Sequence, residues 1–301
     1  MSADLTTRYM GLPLRNPVVV ASSDLTADAE QIERCSNAGA GAVVMKSFFQ
    51  NRVGEAAGVE ESTDFMSYLD ILSAAKQRSA VPLIASLSCR SVAAWTALAA
   101  AAAAAGADAL ELNFSIPPAL TAGFSTEIEE LYCIVTEAVC NAVDIPVAVK
   151  LGGPFTAMVR MAQDLSMRGA SALVFFNRFR TIDIDLRGVK IRRASPRSSP
   201  DEILPSLQWI ALLYGGVECD LCASTGVQSA EETLKMLLAG AAAVQVCSAL
   251  YSRGLGVIGE ITGGIESWME GHGCGTIGHF RGKLSRLSSD DPDFYERQQY
   301  V

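Results

Sequence analysis

The sequence has no surplus of positive charge and no long uninterrupted hydrophobic run. Its 24 lysines and arginines stand against 33 aspartates and glutamates, which gives a formal net charge of −9. Proteins that bind a nucleic-acid backbone or an anionic lipid surface generally present a basic face, so this balance disfavours both classes. The longest apolar stretch, Val92–Leu112, is mostly alanine and is interrupted by Gly106, Asp108 and Glu111. It therefore predicts a helix followed by a strand, and no membrane span.

Signals for secretion, metal binding and dinucleotide binding are also scarce. The segment Met1–Arg8 contains no apolar stretch, so we expect no secretory signal and a cytoplasmic location. Only two histidines occur, His272 and His279, and Cys219 and Cys222 form the only C-x-x-C pair among eight cysteines. Zinc or an iron–sulfur cluster needs more ligands than this, so we expect buried thiols and no metal. No G-x-G-x-x-G fingerprint follows a predicted strand.

What the sequence does contain is a regular alternation of strands and helices, which is typical of buried parallel strands. Eight such units in one chain predict an α/β fold, the (β/α)8 or TIM barrel, since a doubly wound sheet usually has fewer strands. The predicted strands are Asn16–Ser22, Gly41–Met45, Val81–Ser86, Ala109–Asn113, Ile145–Lys150, Ala172–Asn177, Asp220–Ala223 and Ala243–Cys247. The clearest helical stretches are Ala27–Asn37, Ser91–Ala105, Ser125–Ala142, Thr156–Arg168 and Glu231–Leu238.

A glycine-alanine pair precedes several of the predicted strands, at Gly39, Gly106, Gly169 and Gly240. Glycine at this position ends the preceding helix in a left-handed conformation, which agrees with the repeated unit. We interpret residues 1–301 as a single domain with two additions. One is a β-hairpin insert within about 178–205, whose basic side chains form a solvated face or a partner surface. The other is a C-terminal helical extension over about 258–301, in which Trp268, Phe280, Phe294 and Tyr295 are expected to pack the tail onto the barrel.

The active site of a TIM barrel lies at the carboxyl ends of its strands. A lysine that closes a buried strand is unfavourable unless its ammonium meets a negative partner, so Lys46 and Lys150 are expected to point into the barrel mouth. Asn113 and Asn177 can read the edge of a ring through paired donor and acceptor atoms, or can tie neighbouring loops together. The residues at the predicted strand ends are Ser22, Lys46, Ser86, Asn113, Lys150, Asn177, Thr225 and Ser248.

The loops after the last two strands are candidates for holding a phosphate. Barrels commonly bind phosphate with exposed backbone amides at this position, here those of Gly226, Val227 and Ser248. Ser229 and Glu232 have the spacing of a capping box, which predicts that a helix begins just beyond the Thr225-Gly226 turn. Ordinary turn chemistry would produce the same residues.

Five segments, taken in order, resemble the dihydroorotate dehydrogenase family. The resemblance runs from about Leu5 to the C-terminus and is closest to the branch of dihydroorotate dehydrogenase-like proteins. Each motif alone is weak, but their order and their positions at strand ends make the assignment specific. The segments are Leu5–Ser22, Leu112–Pro118, Val147–Lys150, Phe175–Phe179 and the pair of loops Thr225-Gly226 and Cys247-Ser248.

The resemblance implies an FMN-binding barrel. The flavin phosphate would lie on the Thr225-Gly226 and Cys247-Ser248 loops, and Lys150 would approach the polar edge of the flavin. A positive charge there would favour the reduced flavin. The family implies Lys46 and Asn113 as catalytic residues, and its remaining cofactor contacts correspond to Ala21 and Ser22 under the ring, Lys46 and Ser47 beside it, Asn113, and Asn177 next to the substrate site.

The chain departs from the family at the position of the catalytic base. Family members follow the Asn-x-Ser motif with Cys-Pro-Asn or Ser-Pro-Asn, where Cys or Ser removes a proton from the substrate. Here Ile116, Pro117 and Pro118 stand at those positions, and an isoleucine cannot accept a proton. Asn51 is the only asparagine in the loop after the second strand, and its neighbours do not match the family motif. Cys89 is a weak substitute base.

The sequence thus favours an FMN-dependent oxidoreductase that acts on a small molecule other than dihydroorotate. The alternatives are a genuine dihydroorotate dehydrogenase of pyrimidine biosynthesis, or a flavin-holding subunit without catalysis. A tRNA dihydrouridine synthase is a further FMN barrel, but it needs a cysteine acid and a basic RNA-binding face, which we cannot identify here. We expect a homodimer, with an electron-transfer protein as a possible partner, and no nucleic-acid or membrane partner.

Overall fold

A computed structural model describes residues 3–50, 64–116, 124–179 and 181–295 of the chain. Its strands are short, as is usual where apolar runs of four or five residues are buried on both faces. Their bounds are β1 Thr7–Tyr9, β2 Leu12–Leu14, β3 Val18–Val20, β4 Ala42–Val44, β5 Phe48–Phe49, β6 Leu83–Ser88, β7 Ala109–Asn113, β8 Val147–Lys150, β9 Ala172–Phe175, β10 Ile182–Asp185, β11 Lys190–Arg193, β12 Asp220–Ala223 and β13 Ala243–Val246.

Eight of these strands form a closed parallel barrel. They pair in the order β3, β4, β6, β7, β8, β9, β12 and β13, and β13 pairs again with β3. The short β5 adds to the end of β6. Each barrel strand coincides with one of the predicted strands, so the predicted TIM barrel is confirmed. The register places Asn113 of β7 opposite Lys150 of β8, at the same level of the barrel.

Nine helices lie among the described residues, and most of them surround the barrel. Asp28 and Ser91 cap α1 and α3, because each side chain accepts a hydrogen bond from a free amide of the first turn. The five helices predicted from the sequence are confirmed within a few residues, whereas α2, α6 and α8 were not predicted. The bounds are α1 Ala29–Asn37, α2 Phe65–Arg78, α3 Val92–Ala104, α4 Ser125–Cys140, α5 Met158–Met167, α6 Leu204–Leu213, α7 Ala230–Ala239, α8 Ser248–Arg253 and α9 Val257–Gly271.

The repeated glycines end helices as predicted. Gly39, Gly106, Gly169 and Gly240 have φ angles of +103°, +100°, +97° and +125°. Side chains are disfavoured at such angles, so glycine turns the chain from each helix toward the next strand without strain.

Two additions to the barrel also match the prediction. The β10–β11 hairpin pairs Ile184 with Ile191, and the Arg178 side chain at its base donates to Glu202 over 2.7 Å. At the other end of the chain, α9 leads into a tail whose Phe280 is only 1% exposed and packs on Trp268. Phe294 does not pack as expected, since its side chain is 63% exposed.

The far end of the barrel, opposite the strand carboxyl ends, is covered by the antiparallel β1–β2 hairpin. Tyr9 and Met10 are buried there, and the Met10 amide donates to Asp220 over 2.8 Å. Arg281 from the tail donates to the same carboxylate. Among the described residues, no helix is long and apolar enough to span a membrane.

Candidate functional site

A chain of hydrogen bonds joins side chains at the carboxyl ends of several barrel strands. Ser47 lies at its centre, with its hydroxyl 2.9 Å from that of Ser22 and 2.7 Å from that of Ser86. Asn113 Nδ2 donates to the Ser47 hydroxyl over 3.1 Å, and Asn177 Nδ2 donates to Asn113 Oδ1 over 2.8 Å. The structure therefore brings these five strand-end residues together at one mouth of the barrel.

A buried ammonium lies beside this chain. Lys150 ends β8 and is only 6% exposed. Its Nζ donates to Gln245 Oε1 over 2.7 Å and lies 3.5 Å from Glu111 Oε1. Gln245 Nε2 in turn donates to Glu111 Oε2 over 2.5 Å. The negative partner that a buried lysine requires is thus a carboxylate on the neighbouring strand β7.

The second strand-end lysine is more open than the first. Lys46 Nζ forms an ion pair with Asp24 over 2.7 Å, and its side chain is 37% exposed. Ala21, which directly follows β3, is buried and its amide donates to the Val246 carbonyl over 3.0 Å. Lys46 therefore lies at the rim of the mouth, while Lys150 lies within it.

Hydroxyl groups and amides also meet at the loops after β12 and β13. The Gly226 amide donates to Ser198 Oγ over 3.2 Å. Ser198 donates to Ser248 Oγ twice, from its amide over 3.0 Å and from its hydroxyl over 3.1 Å. Gly226, Ser198 and Ser248 are therefore joined by hydrogen bonds, and backbone amides and hydroxyl groups are the kinds of group that bind a phosphate. The capping box of Ser229 and Glu232 at the start of α7 is also present.

Only glycine fits at position 226. Its φ is +81°, and a Cβ there would lie 2.5 Å from the Ile203 amide nitrogen, a backbone atom that cannot move aside easily. The neighbouring Thr225 also has a positive φ, +73°, which is rare for a β-branched residue. Its hydroxyl donates to the Phe176 carbonyl over 3.1 Å. The loop is therefore held close to the segment that carries Ser198.

The position expected for a catalytic base carries no acid or base side chain. Ile116 is partly buried and packs against the hydrophobic core. Burial raises the pKa of the Cys89 thiol to about 12, so this cysteine is a poor source of thiolate at neutral pH. Burial also raises the pKa of Cys247. Pro117, Pro118 and Asn51 lie outside the described residues.

Three polar residues at or beneath the mouth were not identified from the sequence. Glu111 and Gln245 lie inside apolar strands, and a polar residue within a buried run is the signal that points to them. Ser198 lies in the hairpin insert, and no local pattern places it beside the last two loops. Within the described ranges, no group of three or more His, Cys, Asp or Glu side chains could hold a metal.

These groups fit a flat ligand that ends in a phosphate. The buried Lys150 supplies a fixed positive charge and the serine-asparagine chain supplies donors and acceptors on one side of the mouth. The Gly226 loop packs so closely on Ile203 that no side chain fits there, which fixes the position of its backbone amides. FMN has matching features: a ring system with a polar edge and a terminal phosphate.

The chain is similar in sequence to several known proteins. The family model described as dihydroorotate dehydrogenase matches residues 57–269. The chain is 32% identical over 293 residues to the dihydroorotate dehydrogenase B (NAD(+)) catalytic subunit of Methanosarcina acetivorans, covering 89% of this chain and 92% of the relative. It is 30% identical to the protein of the same name from Methanothermobacter thermautotrophicus, covering 91% and 96%. A putative dihydroorotate dehydrogenase A (fumarate) of Aeropyrum pernix is 29% identical, covering 89% and 94%.

Proposed function

Because the chain belongs to the dihydroorotate dehydrogenase family, we propose that it is an FMN-dependent oxidoreductase whose small substrate differs from dihydroorotate. The observation that carries the proposal is the buried Lys150 ammonium at the barrel mouth, which donates to Gln245 on β13, the strand whose following loop carries Ser248. When bound, FMN would exchange a hydride with the substrate, and the protein would position both molecules.

Different residues of the mouth would contact different parts of FMN. Ser198, Ser248 and the amide of Gly226 would bind the phosphate, while Lys150 would face the polar edge of the ring. Ala21 and Ser22 would lie under the ring, and Lys46 and Ser47 beside it. Asn113 and Asn177, already joined over 2.8 Å, would face the substrate with their remaining amide atoms.

The proposed change of substrate rests on the segment after β7. Ile116 stands where family members carry a Cys or Ser base, and Pro118 stands where they carry an asparagine amide. A substrate that requires proton removal at a carbon would lose its base here. A compound that only exchanges a hydride with the flavin, and that ionises by itself or carries a more acidic proton, remains compatible with this mouth.

Purified protein is expected to carry noncovalent FMN at one per chain. The test is to release the cofactor by heat or acid and to identify it by chromatography against FMN and FAD standards. FAD, or a colourless protein that does not take up added FMN, would contradict the assignment of the barrel mouth.

Replacing Gly226 by alanine is expected to weaken FMN binding about 10- to 100-fold, the equivalent of one hydrogen bond to a charged group. The added Cβ would push the loop away from Ile203 and misplace its amides. Titration of the apoprotein with FMN, followed by flavin fluorescence, measures the effect. Gly254→Ala is the matched control, because Gly254 has the same φ of +81° but no atom within 4 Å of its Cβ position. Equal losses in both variants would trace the effect to backbone strain alone.

The β10–β11 hairpin supports a second proposal, that the chain self-associates. Ile182, Ile184 and Ile191 are 70%, 61% and 72% exposed, whereas Asp183 and Asp185 are the partly covered positions of β10. A surface strand normally turns its apolar side toward the protein, so this hairpin is inverted. Residues 181–193 carry four basic and two acidic side chains in a chain of net charge −9, which suits contact with a second acidic copy.

Replacing the cross-strand pair Ile184 and Ile191 by aspartate is expected to weaken self-association at least about tenfold. Sedimentation velocity over a concentration series measures the change. Met167→Asp is the control, because Met167 is 71% exposed but lies on α5, away from the hairpin. A native protein that stays monomeric throughout the series would contradict the proposal. So would a dimer whose self-association is unchanged by the two aspartate substitutions. The catalytic-subunit names of the archaeal relatives make binding of a different subunit the competing outcome.

A further inference from the structure

Lys150 belongs to a group of three buried polar side chains that extends from the mouth into the barrel. We propose that Glu111 is a positioning residue that acts through Gln245 and Lys150 to lower the reduction potential of the bound flavin. The inference rests on the proposed FMN function and concerns a residue that does not itself reach the mouth.

The three side chains form a closed set of contacts. Lys150 Nζ donates to Gln245 Oε1 over 2.7 Å, and Gln245 Nε2 donates to Glu111 Oε2 over 2.5 Å. The Glu111 Oε1 atom lies 3.5 Å from Lys150 Nζ. Lys150 is 6% exposed, Gln245 2% and Glu111 1%, so water screens the two charges very little.

Within the described part of the chain, Glu111 is the acidic residue that faces Lys150. Its Oε1 accepts no hydrogen bond, and below it the buried Tyr9 hydroxyl also lacks a hydrogen-bond partner among the described residues. Burial raises the pKa of both Tyr9 and Cys222, which keeps these neighbours neutral. Asp220 is bound to the Met10 amide and to Arg281. Glu111 is therefore the carboxylate in direct contact with Lys150.

The consequence for a flavin at the mouth follows from charge alone. An ammonium beside the ring favours the reduced state, which carries more negative charge than the oxidised state. A carboxylate 3.5 Å behind the ammonium offsets part of that field. Gln245 bridges the two charged groups and fixes the distance between them. The folded barrel therefore determines how far the Glu111 carboxylate reduces the field of the Lys150 ammonium.

Glu111→Gln removes this charge and preserves the shape of the side chain. We expect the two-electron equilibrium between the bound FMN and a reference dye to move toward reduced flavin about tenfold, which is about 30 mV for two electrons. Equilibration with dyes of known potential during slow enzymatic reduction measures the shift. Glu111→Asp keeps the charge one methylene farther from Lys150, so the equilibrium should move in the same direction by about two- to threefold. This second variant keeps the test decisive if Glu111→Gln does not fold.

Two controls separate a positioning role from a structural one. Glu137→Gln removes an equal charge from an exposed ion pair with Arg168, formed over 2.7 Å, and should leave the potential unchanged. In a Lys150→Met background, Glu111→Gln should shift the equilibrium by much less than tenfold, because the group through which it acts is gone.

The outcomes are distinct. A native potential in Glu111→Gln with FMN bound overturns the positioning role and leaves the proposed function intact. A full shift that persists without Lys150, or an equal shift in Glu137→Gln, overturns it as well. A native protein that binds no FMN overturns the proposed function, and the positioning role with it.

Discussion

Dihydroorotate mixed with the purified protein in the absence of oxygen is expected to bleach the flavin absorbance very slowly, or not at all. A positioned general base contributes about 10²- to 10⁴-fold to such a reaction, and we propose from the family resemblance that Ile116 stands at the position of that base. We therefore expect a rate at least about 100-fold below that of a family member that keeps the base. Stopped-flow absorbance at the flavin maximum measures it, with dithionite as the control for complete reduction.

Cys89, Lys46 and the two asparagines of the mouth are poor candidates for a replacement base. The pKa of Cys89 is raised to about 12 by burial, so its thiolate is scarce at neutral pH. Lys46 is held in an ion pair with Asp24. Asn113 and Asn177 are amides, which hold a ligand but do not accept a proton from carbon.

A double variant, Ile116→Cys with Pro118→Asn, separates the explanations for slow turnover. Activity gained only in the variant would indicate that the barrel keeps the flavin geometry of the family and lacks only the base and the amide. Two inactive proteins, each fully reduced by dithionite, are the result that we expect if the mouth has been rebuilt for another ligand. Rapid bleaching in the native protein would contradict the proposal and restore dihydroorotate as the substrate.

The barrel could be predicted because its determinants are local. Runs such as Val18–Val20 and Ala172–Phe175 are buried on both faces, so they read as continuous apolar stretches in the sequence. Gly39 and its equivalents mark where each helix turns back toward the next strand. Helix α2 carries Tyr68, Leu72 and Ala75 on one buried face, a spacing that the sequence contains but that we did not identify.

The site could be predicted only where a strand ends. Asn113, Lys150 and Asn177 follow apolar runs, and a closed parallel barrel must gather such residues at one mouth. Glu111 is two residues before Asn113 on β7, so its side chain shares the inward direction one layer deeper. A search limited to strand ends would therefore not identify Glu111. The position of Ser198 is even harder to predict from the sequence, because its contact with Gly226 depends on how a long insert folds back over the barrel.

The buried group that includes Glu111 also determines the stability of the apoprotein. Lys150→Met is expected to lower the free energy of unfolding by about 3 to 5 kcal/mol, because it leaves the Glu111 carboxylate buried without its cation. Urea unfolding of protein freed of FMN measures the loss. Lys76→Met is the matched control: Lys76 and Asp108 are 2.6 Å apart but are 42% and 26% exposed, so at most about 1 kcal/mol should be lost.

Adding Glu111→Gln to Lys150→Met should recover most of this loss. The second substitution replaces the unpaired Glu111 carboxylate by a neutral amide in contact with Gln245. The double variant therefore buries no ion at this place. Recovery of about 2 kcal/mol or more would demonstrate that the charge, and not the volume of the lysine, explains the first variant. Additive losses would mean that the lysine stabilises the barrel by packing alone. That result would also contradict the proposed effect of Glu111 on the flavin reduction potential, because both effects depend on the same pair of charges 3.5 Å apart.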